Sequence, residues 1–178
     1  MRLKITLGSL LLLAFLTGAV FAQKNTPAKT RFTSIYTSLD KGCKTIHGSN
    51  GTDDAFICKG APGYQINEFS AAAASYIGAE VKGTDERFLI ATINFDFDYS
   101  KTKLEWRLAN GKPFAVILRV PKYGDPASSD QYFGKVIGCK LAIIGLTGVA
   151  IDNSVDAKTA DANVKAREIA DKAYADHH

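Results

Sequence analysis

Between Lys103 and Val120 two apolar runs face each other across Asn110-Gly111: Leu104, Trp106 and Leu108 on one side, Phe114 through Leu118 on the other. Runs of this kind split by an Asn-Gly pair predict a β-hairpin. The turn decides which side chains share a face. A two-residue loop pairs Leu108 with Pro113 and sets Glu105 and Arg107 on the side of Phe114, Val116 and Leu118. A three-residue loop, Ala109-Asn110-Gly111 with a bulge at Gly111, puts Leu104, Trp106 and Leu108 with Phe114, Val116 and Leu118. Glu105 and Arg107 then fall with Ala115, Ile117 and Arg119. A one-residue slip exchanges whole faces, so hydrophobic matching selects the three-residue loop. Trp106 becomes a core residue. Glu105, Arg107 and Arg119 become a charged group on a partly apolar face, readable as a structural ion pair or as a ligand-recognition site, with the ion pair preferred.

The remaining pattern is mostly β. Phe32 to Leu39 predicts a first strand. Gly42–His47 and Ala55–Cys58 are short strands flanking Gly48–Asp54, a stretch of turn residues. Tyr64–Phe69 alternates as a strand. Ser70–Ile77 carries four consecutive alanines and is read as a strand from its β-rich neighbours, against the helical preference of alanine. Val81–Arg87 is a polar loop, and Phe88–Tyr99 ends in the alternation Phe95, Phe97, Tyr99 against Asn94, Asp96, Asp98. After the hairpin, Lys122–Asp130 is a turn-rich loop, Gln131–Ile137 and Cys139–Leu146 are two strands, and Thr147–Ser154 is a connector. Asp156 to Ala175 is the one strong helix. Its stripe of Ala162, Ala166, Ile169, Ala170 and Ala173 suits close packing on a sheet, over the Ala115/Ile117 side of the hairpin; the alternative is a loosely attached amphipathic tail. The expected fold is α+β: an antiparallel sheet or partly open barrel of about seven to nine short strands with one C-terminal helix packed on it.

The first residues change the picture of where the chain works. Arg2 and Lys4, the apolar run from Leu7 to Phe15 and the small-residue site at Val20-Phe21-Ala22 predict a signal peptide over 1–22. A flexible tether follows over 23–30, then a single α+β domain over 31–178. No later segment has the length of a membrane span, so a periplasmic or secreted protein is expected. The formal charge of +4 falls by two with loss of Arg2 and Lys4, too weak a balance to suggest nucleic acid. In an oxidising compartment Cys43 and Cys58 are the natural disulfide, stapling a hairpin with Thr45 opposite Phe56. Closing a loop of about 15 residues stabilises by about 3 kcal/mol in the chain-entropy model. Cys139 is then a free thiol, read as a small buried apolar residue before a reactive or intermolecularly bridged one.

Several stretches together resemble a family of small exported bacterial proteins of unknown function, found mainly in Gram-negative species. They are Tyr36-Thr37-Ser38-Leu39-Asp40 before Cys43, Phe56-Ile57-Cys58-Lys59-Gly60, Glu105-Trp106-Arg107 with Pro113-Phe114-Ala115-Val116-Ile117-Leu118-Arg119, Cys139-Lys140-Leu141-Ala142, and Ala162-Asn163 with Ala166 to Asp171. The resemblance implies a fourth cysteine near the helix end, paired with the position of Cys139; here Asp176-His177-His178 stands instead. It implies no activity, cofactor or substrate.

Candidate chemistry is sparse. The only histidines are His47, His177 and His178, with no nucleophile elbow beside them. Gly48-Ser49-Asn50-Gly51 lacks the lysine of a phosphate loop. Asp96-x-Asp98-x-Ser100 begins like a calcium loop, but Lys101 stands where glycine is needed and Arg107 where a bidentate glutamate is needed. No metal or cofactor is expected, and the balance argues against an enzyme. The leading expectation is a non-enzymatic exported binding module of unknown ligand, an inhibitor or partner of an envelope protein. The alternatives are a cell-envelope hydrolase using Glu105 with Arg107 and Arg119, and a structural envelope protein without a small-molecule site.

Overall fold

The computed structural model describes residues 29–47, 54–71, 73–94, 98 and 102–178. Ten strands and one helix follow in order: β1 (Phe32–Ser38), β2 (Lys44–His47), β3 (Asp54–Lys59), β4 (Tyr64–Ala71), β5 (Ala74–Val81), β6 (Arg87–Asn94), β7 (Lys103–Ala109), β8 (Lys112–Tyr123), β9 (Val136–Gly145), β10 (Asp152–Asp156) and α1 (Ala162–His177). The antiparallel α+β character agrees with the sequence pattern. The strands, ten among the described residues, form two five-stranded sheets: sheet I in the order β1-β7-β8-β9-β10, and sheet II a meander β2-β3-β4-β5-β6.

The layers follow from which faces are apolar. Leu104, Trp106, Val116, Leu118 and Ala142 of sheet I meet Cys58, Ile66, Ile77, Ile90 and Ile93 of sheet II. The other face of sheet I, through Ala115, Ile117, Leu141 and Ile143, receives Ala162, Ala166 and Ala170 of α1. Sheet I is therefore covered on both sides, which explains why β7 and β8 read as nearly continuous apolar runs. The alanine stripe lets the helix come close. An aromatic group seals the end of this layer, with Phe114 and Tyr174 rings 4.7 Å apart and Phe32 beside both. Trp106 is fully buried, and its indole N–H donates to Thr37 Oγ1 at 2.8 Å.

The hairpin does not have the expected three-residue loop with a bulge at Gly111, and its pairs differ from those that loop would set, although Trp106, Val116 and Leu118 still share a face. Ala109 pairs with Lys112, so the loop has two residues. Asn110 at φ 50° and Gly111 at φ 82° give the doubly left-handed turn that suits Asn-Gly. Leu108 pairs with Pro113, then a bulge shifts the register so that Arg107 meets Ala115 and Trp106 meets Val116. The bulge turns Phe114 to the helix side, beside Ala115 and away from the Trp106 face expected for it.

Other strand boundaries differ for local reasons. Ser70–Ile77 is not one strand: β4 ends at Ala71 and β5 starts at Ala74, and these two residues pair with each other. Gln131–Lys135 is not a strand. Its Gly134 lies so close to the chain that a Cβ there would run into the carbonyl oxygens of Gly124 and Asp125, and Gly124 N–H bonds Lys135 O at 2.9 Å. The strand resumes as β9 straight through Gly138. The connector over Thr147–Ser154 hides β10, an edge strand whose only buried residue is Val155. The helix begins six residues later than expected. The turn expected over Gly48–Asp53 and Phe95, Asp96, Phe97, Tyr99, Ser100 and Lys101 lie outside the described residues, as do residues 1–28, which hold the expected signal peptide and most of the expected tether.

Candidate functional site

Strand alternation puts Glu105 and Arg107 on the helix side of β7, opposite Tyr36 and Ser34 of β1. Both are buried at 6 % exposure. Neither is left alone, because α1 brings Arg167 and Asp171, one helical turn apart, onto the pair. Arg167 Nε donates to Glu105 Oε1 at 2.6 Å and its Nη2 to Oε2 at 3.2 Å. Arg107 Nε and Nη2 donate to the two Asp171 oxygens at 3.0 and 2.5 Å. Ser34 joins the pairs, its hydroxyl donating to Glu105 Oε1 at 2.5 Å and accepting from Arg107 Nη1 at 2.7 Å. Tyr36 OH accepts from Arg167 at 2.9 Å. The Glu105 hydrogen bond is the main influence raising the Arg167 guanidinium above its ordinary value, against an opposing effect of burial.

Two crossed, two-pronged ion pairs thus clamp the helix to sheet I. Bidentate geometry and burial make such pairs specific in register as well as strong. Arg119, the third charged residue of the sequence reading, is exposed. It joins Glu105, Tyr36, Lys103 and Asn163 only as a wall of a shallow hollow of about 350 Å³ beside the clamp. The partners Arg167, Asp171, Ser34 and Tyr36 escaped the sequence reading. The available signal was position: Arg167 and Asp171 each follow an alanine of the buried stripe, Ala166 and Ala170.

Cys43 and Cys58 form the disulfide, and Thr45 lies opposite Phe56. Cys139 is a free thiol, half-buried on β9. His178 stacks on Tyr174 with centroids 4.2 Å apart. Among the described residues no cluster of His, Cys, Asp and Glu could hold a metal, and no helix is long and apolar enough to cross a membrane.

Sheet II presents a different surface. Among the described residues no helix covers its outer face. Phe69 and Tyr76, paired across β4 and β5, stack there at 4.9 Å with planes 14° apart. With Leu89, Phe88, Gly78 and Arg87 they line a mostly apolar hollow of about 270 Å³; Phe69 is 48 % and Leu89 57 % exposed. Tyr132, from the loop after β8, hydrogen-bonds the Tyr76 phenol and is the main cause raising its pKa. A larger groove of about 880 Å³ runs along β6, between Leu89–Thr92, Val120–Tyr123 and the β9–β10 residues Lys140, Ala142, Ile144, Asp152 and Ser154. On the inner face of β4, Glu68 is buried at 4 % exposure. Its Oε1 accepts from Ser70 at 3.3 Å, and its Oε2 has no hydrogen-bond partner among the described residues. Compared with known proteins, the chain matches no family model, no curated protein and no solved structure.

Proposed function

We propose that the protein is an exported, non-enzymatic binding module that recognises a protein of the cell envelope through the outer face of sheet II. The observation that carries this reading is the contrast between the two outer faces. Sheet I is closed by α1, whereas sheet II leaves Phe69 and Leu89 exposed beside the half-buried Tyr76. Grouped exposed apolar side chains of this kind are a mark of interaction surfaces. Export is supported by the signal-like residues 1–22 and by the Cys43–Cys58 disulfide, which suits an oxidising compartment.

The charged group of β7 fits this reading as structure. Glu105 has both oxygens engaged by Arg167 and Ser34, and Arg107 is held by Asp171 and Ser34. A hydrolase would need that carboxyl directed at a substrate. The test is capture from a periplasmic extract on the immobilised mature protein, wild type against Phe69→Glu and Leu89→Glu. One stoichiometric partner retained by wild type and lost with both variants is expected. An unaccompanied wild-type protein, or a partner held equally by the variants, overturns the reading.

A further inference from the structure

We infer that the free edge of β6 takes an extended segment of the partner protein as a sixth strand of sheet II, seated over the inward face of β9 and β10. This rests on the binding-module reading and names the form of the partner.

The first support is the edge itself. β6 pairs with β5 on one side and, among the described residues, ends the sheet on the other. Asn94 N–H donates to Tyr123 OH at 2.8 Å, so the backbone of Asn94 points away from β5. Strand alternation then aims the N–H and C=O of Thr92 at the same free side. Asn94 is thus already partnered, and the outward groups of Thr92 are the ones offered as a template for strand addition.

The second support is the shelf beneath it. β6 lies against β8 and β9, and β10 continues sheet I beyond that line. The groove spans from the β6 edge to Asp152 and Ser154 of β10. A strand added at the usual spacing of about 4.8 Å lies above this shelf, with its side chains filling the gap of about 10 Å between sheets. A second copy joined edge to edge is the competing occupant. The shelf has room for an extended segment.

The third support is charge. On the inward face, Lys140 lies opposite Asp156, Ala142 opposite Ser154, and Ile144 opposite Asp152. Lys140 and Asp152 enter no salt bridge among the described residues. They stand at opposite ends of a four-residue run, about 13 Å at strand rise, with small groups between. The complementary strand carries a carboxylate facing Lys140, a small residue over Ala142, and a basic residue facing Asp152. Its alternate side chains emerge beside Thr92 and Leu89, where β-branched residues extend the apolar face of Phe69 and Tyr76.

The probe is a panel of ten-residue fluorescein-labelled peptides. Each has Val or Thr at alternate positions and Glu, Ser and Lys at successive intervening ones. Binding to the mature protein is followed by anisotropy, and amide exchange locates it. Saturable binding with added protection at Leu89 and Thr92 is expected. Thr92→Pro removes an outward N–H, which an edge strand tolerates, and should weaken binding at least tenfold; N-methylating the peptide backbone should do the same without altering the protein. Lys140→Glu should weaken the panel tenfold, with recovery when the peptide's Glu becomes Lys. The inference is overturned if no peptide saturates, if binding survives N-methylation, or if β6 protection arises instead from dimerisation of the protein. If the peptides fail while periplasmic capture still depends on Phe69 and Leu89, the edge inference falls and the binding-module reading stands; if both fail, both fall.

Discussion

Replacing Asp171 by Asn tests whether the clamp between β7 and α1 holds the fold together. Arg107 has a side chain only 8 % exposed, and Asp171 one that is 24 % exposed. In Asp171→Asn the amide oxygen can still accept from Arg107 Nε. The amide nitrogen now faces Nη2, donor against donor. One charge-assisted hydrogen bond is lost, a loss of about 1.5–3 kcal/mol. The guanidinium is left charged and buried, and breaking a buried pair costs about 3–5 kcal/mol. Water reaching the Asp171 side screens part of that, so the expected loss is about 3 kcal/mol. For a chain of this size that lowers Tm by about 6–12 °C. Urea unfolding of the mature protein followed by circular dichroism measures the first figure, and a thermal melt the second. The double variant Arg107→Leu/Asp171→Leu removes both charges and should return to within about 1 kcal/mol of wild type, because buried ion pairs are commonly replaceable by apolar pairs. An Asp171→Asn loss below about 0.5 kcal/mol, or a double variant as damaged as the sum of its parts, refutes the argument.

Cys43→Ser/Cys58→Ser should lose about 3 kcal/mol from release of the loop, measured as a lower urea midpoint that wild type matches only when reduced. Gly111→Ala places a Cβ at φ 82° and should cost about 1 kcal/mol, while Asn110→Gly stays within about 0.5 kcal/mol; hairpin amide exchange and urea melts check both. Glu68→Met removes a buried carboxyl whose Oε2 has no hydrogen-bond partner among the described residues and should leave stability equal or raised by about 1 kcal/mol. A clear drop in Tm for Glu68→Met would mean that this carboxyl carries a role in folding.

Apolar periodicity made much of the architecture legible before any coordinates. It placed Trp106, Val116 and Leu118 on one face and put the helix on the Ala115/Ile117 side, while cysteine spacing paired Cys43 with Cys58. What it missed has physical causes. The bulge at Pro113–Phe114 leaves no local signal, since a β-bulge changes register without needing its own turn residue. β10 buries only Val155, so its sequence, Asp-Asn-Ser-Val-Asp, reads as loop. Two sheets cannot be told from one by alternation, because a strand's pattern reports which of its faces is covered and not by which layer. The charged group was half legible: Glu105 and Arg107 were placed together on the correct face, while Arg119 proved exposed. The partners Arg167 and Asp171 come from an element about 60 residues away, and no local pattern couples them to β7. The bare face of sheet II was not legible at all, since Phe69 and Tyr76 look like ordinary core aromatics until the layer that fails to cover them is known.

Site-specific photo-crosslinking in cells exporting the protein addresses the binding reading most directly. A photoreactive side chain at Leu89, on the bare face of sheet II, is compared with one at Val164, which is exposed on α1 at 47 %. The account predicts one discrete adduct to an envelope protein from position 89, lost when Phe69→Glu is added, and none from position 164. No adduct from position 89, or the same adducts from both positions, would contradict it.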